Sequence, residues 1–177
     1  MALTIKQITE AGSDEALFEI ITEELRLRSA GLQDGIEELV GWIRELPRGL
    51  RAMAATYQLD VSMALDDLGW HFANWHSKSY AEETQHGLYE LGAREAGDVF
   101  REAYRLVLPY WDTMLADGFE AFVKWYRRSP LHAALDPLNV QMWALCERHP
   151  TYRLMGHWLT YAMHYPENLI ERPYEVH

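Results

Sequence analysis

Three observations predict an all-α fold. Apolar residues recur at three- and four-residue intervals along almost the whole chain, period-two alternation is nearly absent, and helix-capping signals punctuate it together with Gly and Pro. The sum is a bundle of about seven helices. No internal repeat, low-complexity tract or linker interrupts the pattern, so residues 1–177 are expected to form a single helical domain, with residues 1–12 disordered or loosely attached.

The first helix is predicted after Ser13, whose hydroxyl can cap it. Asp14 and Glu15 fill its first turn, Leu17, Ile20, Ile21 and Leu25 form its apolar stripe, and Gly31 follows its end. Asp34-Gly-Ile-Glu37 reads as a capping box opening a second helix with Ile36, Leu39, Val40, Ile43 and Leu46. Pro47 breaks that helix or opens the next, which carries Leu50, Met53, Tyr57, Val61, Leu65 and Leu68 to a glycine turn at Gly69. Asn74 is placed to close that turn. Ser79-Tyr-Ala-Glu82 reads as a second capping box, for a helix ending at Gly92. Ala96, Val99, Phe100, Ala103 and Val107 mark a long amphipathic helix that Pro109 should kink or end. Asp117-Gly-Phe-Glu120 reads as a third box. Pro130 and Pro137 are expected to bracket a loop, and helical stretches near Val140–Glu147 and Tyr152–His164 complete the chain.

Composition narrows the function. The net charge is −11 with 27 acidic and 16 basic residues, which argues against direct binding of nucleic acid or an anionic membrane. The single cysteine, Cys146, cannot form an internal disulfide and reads as a buried thiol, and a reducing compartment follows. There is no signal-peptide pattern at the N-terminus and no apolar run long enough to span a bilayer, so the expected location is the cytoplasm.

Signatures of catalysis are missing. No Gly-x-Ser-x-Gly elbow and no phosphate-binding glycine loop occurs, the adjacent Glu82 and Glu83 point about 100° apart on a helix, and the reading leans away from an enzyme with no cofactor. Eight histidines nevertheless raise a metal-binding alternative. Glu83-Thr-Gln-His86 is a lone Glu-x-x-His pair, while Asp67 and His71 are one turn apart and His157 and His164 two turns apart. That alternative, a metal-binding helical protein or metal-dependent hydrolase, needs His71, His76, Glu83 or His86 to converge with His157 or His164. Its opposite reading packs these rings in an aromatic core, each with one hydrogen bond.

Carboxylates crowd the N-terminal half. Asp14, Glu15, Glu19 and Glu23 lie on the first helix, Glu37 and Glu38 on the second, and Asp66 and Asp67 before Trp70. One turn apart on a helix, such groups sit about 5–6 Å from each other, close to successive phosphates of a nucleic-acid strand. The set is a candidate interaction face, with Trp70 as an aromatic anchor. The competing reading is a solvated coat.

The segments LPRGLRAM (46–53), YQLDVSMALDDLGWHFANW (57–75) and YELGAREAGDVFREA (89–103) resemble a bacterial family of domains of unknown function. Its best-known member type is a DNA-mimic protein. The matching features are the early Leu-Pro, then Gly69, Trp70, Phe72 and Asn74, then Leu91-Gly92-Ala93. LDPLNVQMWAL (135–145) and WLTYAMHYPENL (158–169) are similar to its later features. The resemblance implies an all-α fold, no established catalytic residues, and an acidic dimer that occupies the DNA-reading face of a transcription regulator. The expected partner is therefore a protein, in the sharpest version a DNA-binding regulator, and a homodimer is an open expectation.

Overall fold

The computed structural model describes residues 3–32 and 34–170. Among them the chain is helical, with no strand. Ten α-helices run in order: α1 (Ile5–Thr9), α2 (Asp14–Arg28), α3 (Ile36–Glu45), α4 (Arg48–Leu65), α5 (Leu68–Asn74), α6 (Lys78–Glu90), α7 (Arg94–Val107), α8 (Phe119–Tyr126), α9 (Pro130–Cys146) and α10 (Gly156–His164). Short 3-10 turns follow α7 and α10 and precede α10. The all-α class holds; the number of helices exceeds the expected seven. No described helix is long and apolar enough to cross a membrane.

Local chemistry explains the surplus. The helix expected to run to Gly69 stops at Leu65. Asp66 leaves the helical conformation, and Asp67 caps a new helix by accepting the Trp70 amide at 3.0 Å. Gly69 is therefore not a turn but a buried residue inside α5: a Cβ there would lie 2.1 Å from the Tyr126 hydroxyl. Near the N-terminus, Thr4 and Gln7 form a capping box for α1. The residues expected to be loosely attached contribute Leu3 and Ile8 to the buried set.

Capping differs from the sequence expectation at three places. Ser13 caps α2 as expected, through the Ala16 amide at 3.2 Å. But α3 starts at Gly35 with no side-chain cap, and α6 is capped by Ser77, not Ser79, through the Tyr80 amide at 3.1 Å. Gly118 opens α8 at φ +85, a left-handed conformation suited to glycine, so Asp117 caps nothing. The loop expected between Pro130 and Pro137 is instead the first half of α9. Ser129 caps it, Pro130 occupies the favoured first helical position, and Pro137 lies on the exposed face, where solvent can reach the carbonyl it leaves unpaired.

Two buried clusters share α4 and α6. One gathers Leu59, Met63, Phe72, Phe100, Val107, Tyr126 and Met142; the other gathers Ile8, Ile21, Ile43, Leu50, Met53, Tyr80 and Trp158. α6 lies against α4 so closely that a Cβ on Gly87 would stand 2.8 Å from the Ala52 carbonyl oxygen. One turn earlier, the buried Thr84 hydroxyl donates to the Ala55 carbonyl at 2.9 Å, satisfying a polar group inside the crossing.

Gly87→Ala tests this contact. Alanine gains about 1 kcal/mol in helix propensity, yet overpacking against backbone costs about 1–3 kcal/mol. The urea midpoint should fall with an unchanged m-value; a rise would show that the helices can part freely.

Candidate functional site

The acidic residues fall into three separate settings. On α2, Leu17 and Ile21 are buried while Asp14, Glu15, Glu19 and Glu23 are exposed. Glu15, Glu19 and Glu23 recur every four residues, so they form a row that advances about 6 Å per step. Among the described residues no cation pairs with Asp14, Glu15 or Glu19, whereas Glu23 holds Arg26 through two bonds of 2.6 and 2.7 Å. Glu24, on the inward side, is buried and bonded to Arg28 at 2.6 Å. The row has a neighbour in Tyr152, whose phenol is held above its ordinary pKa by desolvation and then by the field of Glu15, Asp14 and Glu19. The fields of all three carboxylates thus reach this one phenol.

The second setting is the start of α3. Glu37 and Glu38 are exposed, but Glu37 accepts the Ser77 hydroxyl at 2.7 Å and so ties α3 to the cap of α6. The third is the α4–α5 junction. Asp66 is exposed and its backbone carbonyl accepts the Trp143 indole N–H at 3.2 Å. Asp67 is buried, and beside its capping bond it accepts the Tyr126 hydroxyl at 3.1 Å. Asn139 takes the Leu68 amide at 3.0 Å. Asp67 is therefore a structural cap. Trp70 is half-buried, with its ring edge-on to Phe119 and Phe122.

The histidines are scattered. His71 is fully enclosed, its Nδ1 3.0 Å from the Ser62 hydroxyl, and burial pushes its pKa down to about 3. His76 packs on Trp111 with ring centroids 4.5 Å apart, and burial lowers its pKa. His86 is exposed. His157 is half-buried, its pKa lowered by burial and then by Arg148 and His149. His164 is exposed, with Nδ1 2.7 Å from the Thr160 carbonyl. Among the described residues, no three His, Cys, Asp or Glu side chains gather as a metal-holding group.

Glu83, the carboxylate of the Glu-x-x-His pair, has another occupation. It is 4% exposed and receives Arg44 at 2.7 Å and Arg51 at 2.8–2.9 Å. Burial raises its pKa, but the hydrogen bonds and charges of the two arginines win and leave it below the ordinary glutamate value. Beside it, Arg48 bonds Glu90 at 2.6 Å, Glu90 accepts the Tyr161 hydroxyl, and Asn168 donates to that hydroxyl at 2.8 Å. This network joins α3, α4, α6 and the C-terminal turn. Its only sequence signal is the spacing of Arg44, Arg48 and Arg51; their acceptors are remote in sequence.

Two of the buried groups, His71 and Glu83, contribute to the acid limb of stability. His71 is neutral when folded and has its ordinary pKa when unfolded, so the unfolded state takes up the proton first. Its contribution is complete above about pH 6.5 and declines as pH falls toward 3, by up to about 1.4 kcal/mol per unit. His71→Gln should flatten that slope in urea titrations run across this range. Glu83 titrates lower when folded than unfolded, so its contribution is present above its unfolded pKa and is lost as pH falls through the folded one. Glu83→Gln should cost about 1–3 kcal/mol at neutral pH and remove the corresponding low-pH loss; an equally stable variant would show that the arginines are indifferent to the carboxylate.

The DMP19-like protein family model matches residues 44–161, about two-thirds of the chain, from the end of α3 into α10. No curated protein and no solved structure matches. The matched region holds the Glu83–arginine network, the Asp67 cap and both buried clusters' shared helices, and leaves α2 outside it. On the extent of that match the chain belongs to the DMP19-like protein family.

Proposed function

We propose that the chain acts by protein–protein contact, as an acidic mimic of nucleic acid that occupies the DNA-reading face of a basic regulator. It performs no chemistry of its own in this reading, binds neither nucleic acid nor membrane, and works in the cytoplasm as one helical unit, alone or as a homodimer. The observation that carries it is the exposed row Glu15, Glu19 and Glu23 with Asp14 beside it, on a chain of net charge −11. Membership of the DMP19-like family supports it through the DNA-mimic member type that the resemblance brings. Glu37, Glu38 and Asp66 are further exposed carboxylates that can extend the face, and Trp70 is half-exposed. Asp67 contributes by holding the α4–α5 junction, not by contact.

The energetic logic is displacement. A DNA-reading surface carries lysines and arginines that bind phosphate with release of counterions. A rigid row of carboxylates offers the same charges on a helix already ordered, so little conformational entropy is lost on docking. Such contacts speed association and weaken with salt.

The test uses DNA-binding proteins of the source organism held on DNA-cellulose. The purified chain should release a defined protein from the matrix at about 0.05 M salt and much less at about 0.3 M, where screening is strong. Replacing Glu15, Glu19 and Glu23 together with Gln should weaken the complex with that protein at least about tenfold, or ~1.4 kcal/mol. Release by neither protein, or by both alike, would sink the mimic reading.

A further inference from the structure

We propose that the cavity between α2, α3, α4 and α10 is a binding site for an uncharged aromatic small molecule that carries a carboxamide-type edge. The cavity has a volume of about 320 Å³ and is walled chiefly by Leu25, Leu39, Trp42, Ala54, Tyr57 and Trp158. That size and an aromatic lining with few polar groups are typical of small-molecule sites. Trp158 is itself fixed: Phe18 stacks at 6.2 Å between ring centroids, and Tyr57 lies at 6.3 Å. Trp158 is almost fully buried and forms a fixed floor, while the half-buried Trp42 and the exposed Tyr57 supply the accessible aromatic surface for a flat ligand.

The polar groups define the ligand by elimination. The Trp42 indole N–H donates to the Arg28 carbonyl at 3.0 Å, and that of Trp158 donates to the Thr56 hydroxyl at 3.1 Å. Thr22 and Ser29, which also line the cavity, spend their hydroxyls on the Phe18 and Arg26 carbonyls at 2.8 and 3.1 Å. Arg26 at the rim is engaged twice by Glu23. Among the described residues, the lining polar side chains that bond no other protein group are the half-buried Gln58 carboxamide and the hydroxyl of Tyr57, whose residue is exposed at the cavity mouth. Both are neutral, and the carboxamide presents a donor and an acceptor side by side. A ligand that returns the complementary pair to Gln58 gains two hydrogen bonds beside a largely apolar recess. A carboxylate meets no free cation there and faces Glu23 at the rim, so desolvating it goes uncompensated.

The probes are naphthalene-1-acetamide and naphthalene-1-acetate, titrated calorimetrically into the full chain. They share the aromatic body and differ at the polar edge. The amide should bind saturably at one site per chain, and the acetate at least about tenfold more weakly, since a site built on hydrogen-bonding groups rejects a partner that leaves them unpaired. Gln58→Leu keeps the volume and removes the carboxamide; it should weaken the amide about five- to tenfold while leaving the folded helical signal intact. Ala54→Leu fills the recess and should abolish binding. Absence of saturable amide binding to the native chain, equal binding of the acetate, or binding unchanged in both variants would overturn the assignment. The comparison of the two probes on the native chain stands even if a variant fails to fold.

Discussion

The close crossing of α4 and α6 is the constraint from which the other arrangements follow. Gly87 lets the α6 backbone meet the Ala52 carbonyl, and Thr84 hydrogen-bonds across the same face. At that approach the neighbouring Glu83 cannot stay in water. A desolvated carboxylate is tolerable only with charge-assisted partners, and Arg44 and Arg51 supply them from α3 and α4. Three helices are thereby pinned at one carboxylate. The chain of Arg48, Glu90, Tyr161 and Asn168 extends the same grip to α10 and the turn behind it.

The crossing also distributes the core. Because α4 is long, its first half can serve one buried cluster through Leu50 and Met53, while Leu59 and Met63 serve the other. α2 lies outside this central grip. It buries Leu17 and Ile21 and keeps its outer carboxylates in solvent. Charge is thus divided by role. Asp60, Asp67 and Glu83 are buried and bonded inside the fold, and carboxylates such as Glu15 and Glu19 stay in solvent.

The stretch from Asp66 to His86 shows how composition misleads where tertiary contacts decide. Its histidines and carboxylates sit near one another in sequence, as a metal site would require. In space, His71 turns into an aromatic nest with Phe72 and Phe100, His76 packs on Trp111, and Glu83 points to arginines of other helices. Gly69 looks like a turn by residue type; it is a helical position where the Tyr126 ring leaves no room for a side chain. Most of these partners lie on other helices, from 29 residues away for His71 and Phe100 to 57 for Gly69 and Tyr126, and no local pattern points to them.

Helical periodicity, the Ser13 cap, the stop near Pro109 and the acidic row of α2 were legible in the sequence, because they depend on residues three or four positions apart and on backbone groups in the same turn. The resemblance of LPRGLRAM and its companion segments led to the right family for the same reason: short motifs survive without knowledge of contacts. Boundaries were less legible. Ser77 and Ser79 can both cap by type; Ser77 is the one that accepts the Tyr80 amide, and its hydroxyl is also held by Glu37 of α3, forty residues away. Pro137 reads as a break, but its exposed position on α9 makes the lost hydrogen bond tolerable. The Glu83–arginine clamp and the aromatic cavity beneath α2 were beyond the sequence altogether. Each depends on side chains from three or more helices meeting at distances of a few ångströms, and that is a property of how the helices pack, set by volume and desolvation, not of any one stretch of chain.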